Sequence, residues 1–224
     1  MAQKKRRNRK KKYRLKKAFR IKLKKSAFLL IFFASLVVLV GVAALSMPYF
    51  AHPTDETHID GIPLCTDYVP EDYRGRTCVK REIKWIVIHE TGNQKRGADA
   101  EMHNRFLHSP EQKSDPLSWH YTVDDKEIYH HIPDDERAYH AGDSGVAGGG
   151  NDCGIGIEIC VNSDGNYDRA VDHTAHLVAH LLNTYGLDIT CVKQHADFIR
   201  KNCPEHLREG DHYERFLEKI QKYM

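Results

Sequence analysis

The first 25 residues contain no acidic side chain, although they hold 15 of the 34 lysines and arginines of the 224-residue chain. Aromatic residues are also scarce in this basic segment, which has only Tyr13 and Phe19. Surfaces that bind single-stranded nucleic acid usually combine basic residues with aromatic residues on which bases stack. This scarcity argues against nucleic acid as a partner. Residues 26–224 have the opposite balance, with 19 basic against 31 acidic side chains, so the two parts are expected in different environments.

Charged residues are missing between Ala27 and Met47, in the segment AFLLIFFASLVVLVGVAALSM. In a helix, roughly 20 apolar residues span the ~30 Å hydrocarbon core of a bilayer. We therefore predict a transmembrane signal anchor over residues 26–47. The basic run directly before it predicts a cytoplasmic tail over residues 1–25 and a domain outside the cell membrane. The same run suits attraction to anionic lipid head groups.

A cleaved secretory signal is the alternative to an anchor. The apolar region of such a signal is usually about 7–15 residues long, which is shorter than this run. However, Ala44-Leu45-Ser46 matches a small-x-small cleavage site, and the domain would then be secreted. Both interpretations place the domain outside the cell.

Internal repeats are absent, as are low-complexity tracts beyond the basic segment. Residues 48–81 are rich in Pro, Asp, Thr and Gly without a sustained hydrophobic period, which predicts an extracellular stalk. Cysteines in an exported domain are compatible with disulfides. Cys65 and Cys78 lie within this stretch and form the best candidate for a local disulfide. The pairing of the other cysteines is left open; they are Cys153, Cys160, Cys191 and Cys203.

Residues 82–224 combine strand and helix patterns, which predict an α/β domain with a central sheet flanked by helices. Continuous apolar runs at Lys84–Glu90 and Ile155–Val161 are typical of strands buried on both faces. A long helix over Arg169–Tyr185 is expected to end at Gly186. The other predicted elements are a helix over Ala98–His108, strands over Trp119–Val123 and Glu127–Ile132, a glycine-rich loop over Gly142–Gly154 and a helix over Asp211–Tyr223.

Histidine is abundant, with 15 residues, and neutral imidazole is the commonest zinc ligand. His176 and His180 have the i,i+4 spacing of a metalloprotease helix, but Leu177 stands where that motif requires glutamate. Together with His173 they fall outside the apolar arc of the predicted helix. These three histidines are therefore expected at solvated or rim positions.

Three other side chains are better candidates for metal ligands. His89 ends a buried strand, where a polar ring must find a partner. His195 and Cys203 bracket a segment, residues 194–204, that has no clean strand or helix pattern and could fold two ligands toward one ion. The spacing of a lone His and Cys is a weak signal without further support.

Five segments together resemble the zinc N-acetylmuramoyl-L-alanine amidases of the phage-lysozyme and peptidoglycan-recognition-protein family. They are WIVIHET at 85–91, SWHYTVDD at 118–125, AYHAGDSG at 138–145, IGIEI at 155–159 and QHADFIRKNCP at 194–204. The resemblance covers roughly residues 82–222. It implies a central mixed β-sheet with a zinc ion on its surface, in an open groove for the glycan and peptide of peptidoglycan.

The resemblance implies that His89, His195 and Cys203 are the zinc ligands, which leaves a fourth position open for water. Cys203 could instead pair with Cys191 or Cys160, and zinc requires it to stay free. The resemblance also implies that Glu158 is the catalytic glutamate, for which a raised pKa would suit proton transfer. The alternative for Glu158 is an edge-strand residue that points to solvent.

Supporting roles are implied for five further residues. Tyr121 and Lys201 match groups that stabilise the oxyanion formed when water attacks the amide carbonyl. His140 is expected to line the groove, although Tyr139 replaces the usual tryptophan before it. The remaining groove candidates are His120 and Asn151.

The expected reaction is hydrolysis of the amide bond between N-acetylmuramic acid and L-alanine in peptidoglycan. Three alternatives are left open: a non-catalytic peptidoglycan-binding receptor on the same fold, a zinc peptidase that acts within the stem peptide, and a structural envelope protein whose histidines bind nothing. The expected location is the cell membrane, with one transmembrane pass and the catalytic domain outside. The oligomeric state is left open.

Overall fold

The computed structural model describes residues 57–112 and 116–224. The predicted cytoplasmic tail and transmembrane anchor lie outside these residues. Within the described part of the chain, no helix combines the length and apolar character needed to cross a membrane.

A seven-stranded mixed sheet forms the centre of the domain, in the order β1-β2-β5-β4-β6-β3-β7. Its strands are β1 His58–Ile59, β2 Ile62–Thr66, β3 Trp85–Glu90, β4 Tyr121–Val123, β5 Ile128–His130, β6 Gly154–Ile159 and β7 Val192–Gln194. β3 pairs in parallel with both β6 and β7, whereas β4 pairs antiparallel with β5. The predicted α/β fold with a central mixed sheet is therefore confirmed.

Among the described residues, the α-helices beside the sheet are α1 Ala100–Leu107, α2 Gly150–Cys153, α3 Tyr167–Tyr185 and α4 His212–Tyr223. Short 3₁₀ helices lie at Ile189–Cys191, His195–Asp197 and His206–Arg208. The predicted long helix corresponds to α3 but begins two residues earlier, because the Asn166 side chain caps it by accepting from the Arg169 N–H. It ends as predicted at Gly186, whose φ of 62° is the left-handed conformation that glycine adopts without strain.

Alternation along β6 gives the sheet two different faces. Ile155, Ile157 and Ile159 are fully buried in the main hydrophobic core, together with apolar residues of α3 and α4. Burial of each such side chain contributes about 1.5–3 kcal/mol to folding. The intervening residues, Gly156 and Glu158, point to the opposite face because strand side chains alternate. This second face carries the candidate site.

The predicted stalk is wrong for the part of it that the structure describes, residues 57–81. β2 pairs in parallel with β5, and Ile59 and Ile62 belong to the main core. Val69 and Tyr73 are buried in a second apolar cluster. The strands of this region, two and five residues long, are too short to show a hydrophobic period, so the sequence pattern did not reveal them.

The predicted disulfide between Cys65 and Cys78 is also wrong, since all six cysteines are free. Cys65 is held in β2 by the pairing with β5, and its thiol donates to a Glu127 carboxylate oxygen at 3.4 Å. Cys78 is exposed in the connection that follows. Incorporation of β2 into the sheet therefore gives Cys65 a different partner.

Candidate metal centre

His89, His195 and Cys203 converge on one point, with one potential ligand atom of each within 4.8 Å of the others. His89 Nδ1 lies 2.9 Å from His195 Nδ1 and 4.0 Å from the Cys203 sulfur. All three residues are buried. The convergence of these three side chains, predicted from the sequence, is confirmed.

The strand topology brings the three residues together. His89 lies near the carboxyl end of β3, and His195 directly follows β7, which pairs in parallel with β3. Cys203 is tied to the His195 segment because the Ala196 N–H donates to the Cys203 carbonyl at 3.1 Å. Ligands of α/β domains commonly bind outside the carboxyl ends of parallel strands, and this cluster lies there.

His140 fixes the tautomer of His89. The Nε2 atom of His140 lies 3.3 Å from the Gly154 carbonyl, which can only accept. Nε2 of His140 therefore carries the proton, and Nδ1 of His140 has the lone pair. His140 Nδ1 lies 3.0 Å from His89 Nε2, which must therefore be the donor. His89 Nδ1 is left with a lone pair directed at the cluster, as a metal ligand requires.

Gly156 makes room for this arrangement. A Cβ atom at Gly156 would lie 2.6 Å from the His140 ring. The glycine of the IGIEI segment is needed because the imidazole of His140 packs directly on the backbone of β6.

Burial keeps the imidazoles neutral. It lowers the pKa of His89 well below its usual range, with further contributions from His140 and His195. The pKa of His195 falls to about 4, first through burial and then through the Lys201 charge. Neutral imidazoles have the free lone pair that a metal ion requires.

Cys203 needs a metal ion to become a thiolate. Burial, followed by the charge of Glu158, raises the pKa of its thiol to about 11. A divalent ion reverses this preference, because a coordinating thiol loses its proton on binding. Two neutral imidazoles and one thiol in this spacing match the donor set of catalytic zinc sites, which have three protein ligands. The residues present therefore fit Zn²⁺.

Glu158 lies beside the cluster, with its Oε1 4.0 Å from His89 Nδ1. β6 runs between β4 and β3, so the alternative of an edge-strand residue is wrong. The side chain is 17% exposed, and Oε2 is buried without a hydrogen-bond partner among the described residues. Burial raises its pKa to about 7, although the nearby Lys201 ammonium opposes the shift. A carboxylate with this pKa can exchange protons near neutral pH.

Lys201 is exposed and lies in the chain between the candidate ligands His195 and Cys203. Its positive charge acts to lower the pKa of Glu158, of His89 and of His195. The role of Lys201 in stabilising an oxyanion stays a prediction.

Tyr121 is in a different place from that predicted. It pairs in register with Ile157, so its side chain lies on the core face of the sheet, opposite Glu158. Its ring stacks on His130 with the centroids 4.1 Å apart, and its hydroxyl hydrogen-bonds Asp134. The prediction that Tyr121 stabilises an oxyanion is wrong.

Tyr121→Phe is therefore expected to keep the activity within about threefold of the unsubstituted protein. It should lower the free energy of unfolding by about 1 kcal/mol, because a buried hydrogen bond to Asp134 is lost. Urea unfolding and initial rates on cell walls would measure both quantities. A large loss of activity with unchanged stability would contradict this placement.

The three predicted groove residues are buried instead. His140 supports His89 from behind, as described above. His120 accepts from the Gly156 N–H through Nδ1, and Asn151 Oδ1 accepts from the backbone N–H groups of His140 and Ala141. Their exposures are 0% for His120, 6% for His140 and 3% for Asn151. The prediction that they line the groove is wrong, because these polar atoms hold the framework of the site.

Two residues near the site were missed by sequence analysis. Arg81 is half-buried and donates to the Gly154 carbonyl at 2.8 Å, and desolvation of its guanidinium lowers its pKa to about 10. Glu90 follows His89 and binds the segment after Cys203. An arginine at the end of an irregular stretch carries no signal, whereas a glutamate directly after a candidate ligand could have been noticed.

The helix histidines do not join the cluster. His173 Nδ1 lies 3.0 Å from the Asp124 carbonyl, and His176 Nδ1 lies 2.9 Å from an Asp60 carboxylate oxygen. Both are partly buried, as is His180. The prediction that these residues lie off the core is confirmed.

The fold and this donor set define an α/β domain with a candidate metal centre of the type used by zinc hydrolases. Comparison with known families gives the more specific assignment. The family model described as N-acetylmuramoyl-L-alanine amidase matches residues 79–206, more than half of the chain. The chain belongs to the N-acetylmuramoyl-L-alanine amidase family.

Relatives in Bacillus subtilis strain 168 agree with this assignment. The N-acetylmuramoyl-L-alanine amidase CwlH is 38% identical over 159 residues, covering 71% of this chain and 61% of CwlH. The N-acetylmuramoyl-L-alanine amidase XlyA is 36% identical over 146 residues, covering 65% of this chain and 48% of XlyA. The match therefore spans less than two thirds of either relative.

Solved structures share the fold. The catalytic domain of XlyA has a TM-score of 0.66 at 34% identity, and the match covers 71% of this chain and 99% of that domain. The PlyG catalytic domain has a TM-score of 0.64 at 26% identity, covering 72% of this chain and 94% of the PlyG chain.

Proposed function

We propose that this domain hydrolyses the amide bond between N-acetylmuramic acid and L-alanine in peptidoglycan, with Zn²⁺ held by His89, His195 and Cys203. The observation that carries the proposal is Glu158 at the cluster, with one carboxylate oxygen 4.0 Å from His89 Nδ1 and the other unpartnered among the described residues. A donor set without such a group would suit a structural metal site. The names of the relatives support the identity of the bond.

A zinc ion held by His89, His195 and Cys203 would supply a Lewis acid that polarises the scissile carbonyl and would lower the pKa of water toward about 7. Glu158 accepts a proton from the attacking water and delivers it to the leaving amide nitrogen. Lys201 stabilises the negative charge that develops on the carbonyl oxygen. The carbon–nitrogen bond breaks, which leaves a lactyl carboxylate on the sugar and a free amino group on L-alanine.

Fragment masses test which bond is cleaved. Purified cell walls treated with the whole chain should release peptides that begin with a free L-alanine amino group, and a chelator should stop the release. Fragments in which L-alanine stays on the muramic acid would indicate a peptidase instead. Binding to walls without any release would indicate a receptor.

Lys201→Met is expected to reduce kcat by about 100-fold or more, because one charge that stabilises the oxyanion is lost. Its zinc content should stay unchanged, since Lys201 is not among the three potential ligands. Arg200→Met removes a neighbouring exposed cation and serves as the matched control, with activity near that of the unsubstituted protein. Equal losses in both variants would point to general attraction of the substrate rather than to a role for Lys201.

We further propose a cytoplasmic tail over residues 1–25 and a signal anchor over residues 26–47, with peptidoglycan and the membrane as partners and no nucleic acid. The basic run before an uncharged apolar run supports this orientation. Recovery of the chain in washed membranes of the producing cell would agree with an anchor. Recovery of a shortened chain from the medium would show that the apolar segment is cleaved.

A further inference from the structure

Glu90 has a buried carboxylate with a full set of hydrogen bonds, and its side chain is 4% exposed. The Tyr167 hydroxyl donates to Oε1 at 2.6 Å, and His206 Nδ1 lies 2.7 Å from Oε2. The backbone N–H of His206 lies 3.1 Å from both oxygens, and that of Leu207 donates to Oε1 at 3.3 Å. Such a set of donors compensates the cost of burying a charge.

These bonds reach the segment that carries the third potential ligand. Residues 206–207 follow Cys203 by three and four positions. The backbone of Glu90 also acts on the Cys203 thiol, where it opposes the rise in pKa that burial causes. The Glu90 carboxylate therefore holds the segment that directly follows Cys203.

The location of Glu90 in β3 explains why it can do this. It is the last residue of the strand and directly follows His89. Because strand side chains alternate, His89 points to the metal cluster while Glu90 points to the other face, where Tyr167 begins α3. Two adjacent residues of β3 thus contact different parts of the site. His89 lies in the metal cluster, and Glu90 binds the segment after Cys203.

We propose that Glu90 is a positioning residue for the metal centre, whose carboxylate holds the turn at His206 and Leu207 and thereby sets the position of the Cys203 sulfur relative to His89. Groups that orient metal ligands typically change metal affinity 10–100-fold when they are replaced. The inference rests on the proposed function only in taking the cluster as a metal site. It does not depend on which bond is cleaved.

Two variants weaken the network at different points. Glu90→Gln keeps the side-chain length but replaces one acceptor oxygen by an NH₂ group that faces N–H donors. Tyr167→Phe removes a single donor and leaves the carboxylate in place. Tyr185→Phe is a matched control, because Tyr185 ends the same helix and donates at 2.8 Å to Asp134, a second buried carboxylate away from the cluster.

The test measures metal binding by the whole chain, without substrate. Zinc affinity is obtained by competition with a chromophoric chelator, and Co²⁺ substitution reports thiolate ligation through its sulfur-to-metal charge-transfer absorption. Glu90→Gln should bind zinc about 10–100-fold more weakly and lose part of that absorption. Tyr167→Phe should also weaken zinc affinity and reduce the charge-transfer absorption, but by a smaller factor. Tyr185→Phe should lower the melting temperature but leave zinc affinity and the charge-transfer absorption unchanged.

Unchanged zinc affinity and full charge-transfer absorption in Glu90→Gln would overturn the inference. So would equal losses in Tyr167→Phe and Tyr185→Phe, since these would reflect general stability. If Glu90→Gln fails to fold, the two tyrosine variants test the inference. Weaker zinc binding in Tyr167→Phe than in Tyr185→Phe would support it, and equal zinc binding would contradict it. An unsubstituted protein that binds zinc but leaves cell walls intact would contradict the proposed function and leave this inference standing, whereas failure to bind zinc would overturn both.

Discussion

Glu158→Gln is expected to bind zinc normally while releasing peptide from cell walls about 100- to 10,000-fold more slowly. The substitution keeps the shape of the side chain but removes the group that accepts and donates the proton, and such general acid–base groups contribute factors of this size. Zinc content and the initial rate of release of free amino groups would be measured on the same preparation.

An exposed carboxylate on α4 provides the control, because Glu218→Gln makes the same chemical change away from the cluster. It should leave zinc content and rate unaltered. Retention of more than about a tenth of the rate in Glu158→Gln would remove Glu158 from the mechanism. Loss of zinc in that variant would instead indicate that the carboxylate helps to hold the ion.

Cys203→Ala should lose zinc and, with it, all measurable hydrolysis. Two imidazoles would remain, which is one protein ligand fewer than catalytic zinc sites have. Metal content after dialysis and the rate with added zinc would be recorded. Full zinc content in Cys203→Ala would show that the sulfur is not a ligand.

A second buried cysteine, Cys160, provides a control that separates loss of a metal ligand from loss of side-chain packing. Cys160 follows β6, is 2% exposed and is also a free thiol. Cys160→Ala removes the same atoms from the interior and should reduce stability while zinc remains bound. Since Cys160 and Cys203 are both free, the structure does not support the alternative of a disulfide between them.

Most regular elements were predictable because each has a local signal. The isoleucine-rich runs of β3 and β6 and the capped, periodic α3 were located within two residues of their observed ends. β1 and β2 were missed, because strands of two and five residues among Pro, Asp and Gly show no period. Tertiary structure reveals them, because β2 pairs with β5, β1 pairs with β2, and Ile59 and Ile62 pack in the main core.

Some site residues were likewise predictable from the sequence, whereas others depended on tertiary structure. His89, His195, Cys203 and Glu158 lie together as predicted, and each stands in a segment that resembles the family. Tyr121 stands in such a segment too, but its register with Ile157 turns it to the opposite face. A shift of one residue in a strand reverses the face, and register depends on strands distant in the chain.

The sequence by itself therefore predicted the candidate metal ligands, the candidate catalytic carboxylate Glu158 and the α/β fold class, and it showed the resemblance to the family. Folding established which of these groups meet. His89 and His195 are 106 positions apart, and His89 and Cys203 are 114 positions apart, so their encounter depends on parallel pairing of β3 with β6 and β7. The supporting roles of His140, Arg81 and Glu90 likewise arise from burial and hydrogen bonding between distant segments, for which a linear pattern has no signal.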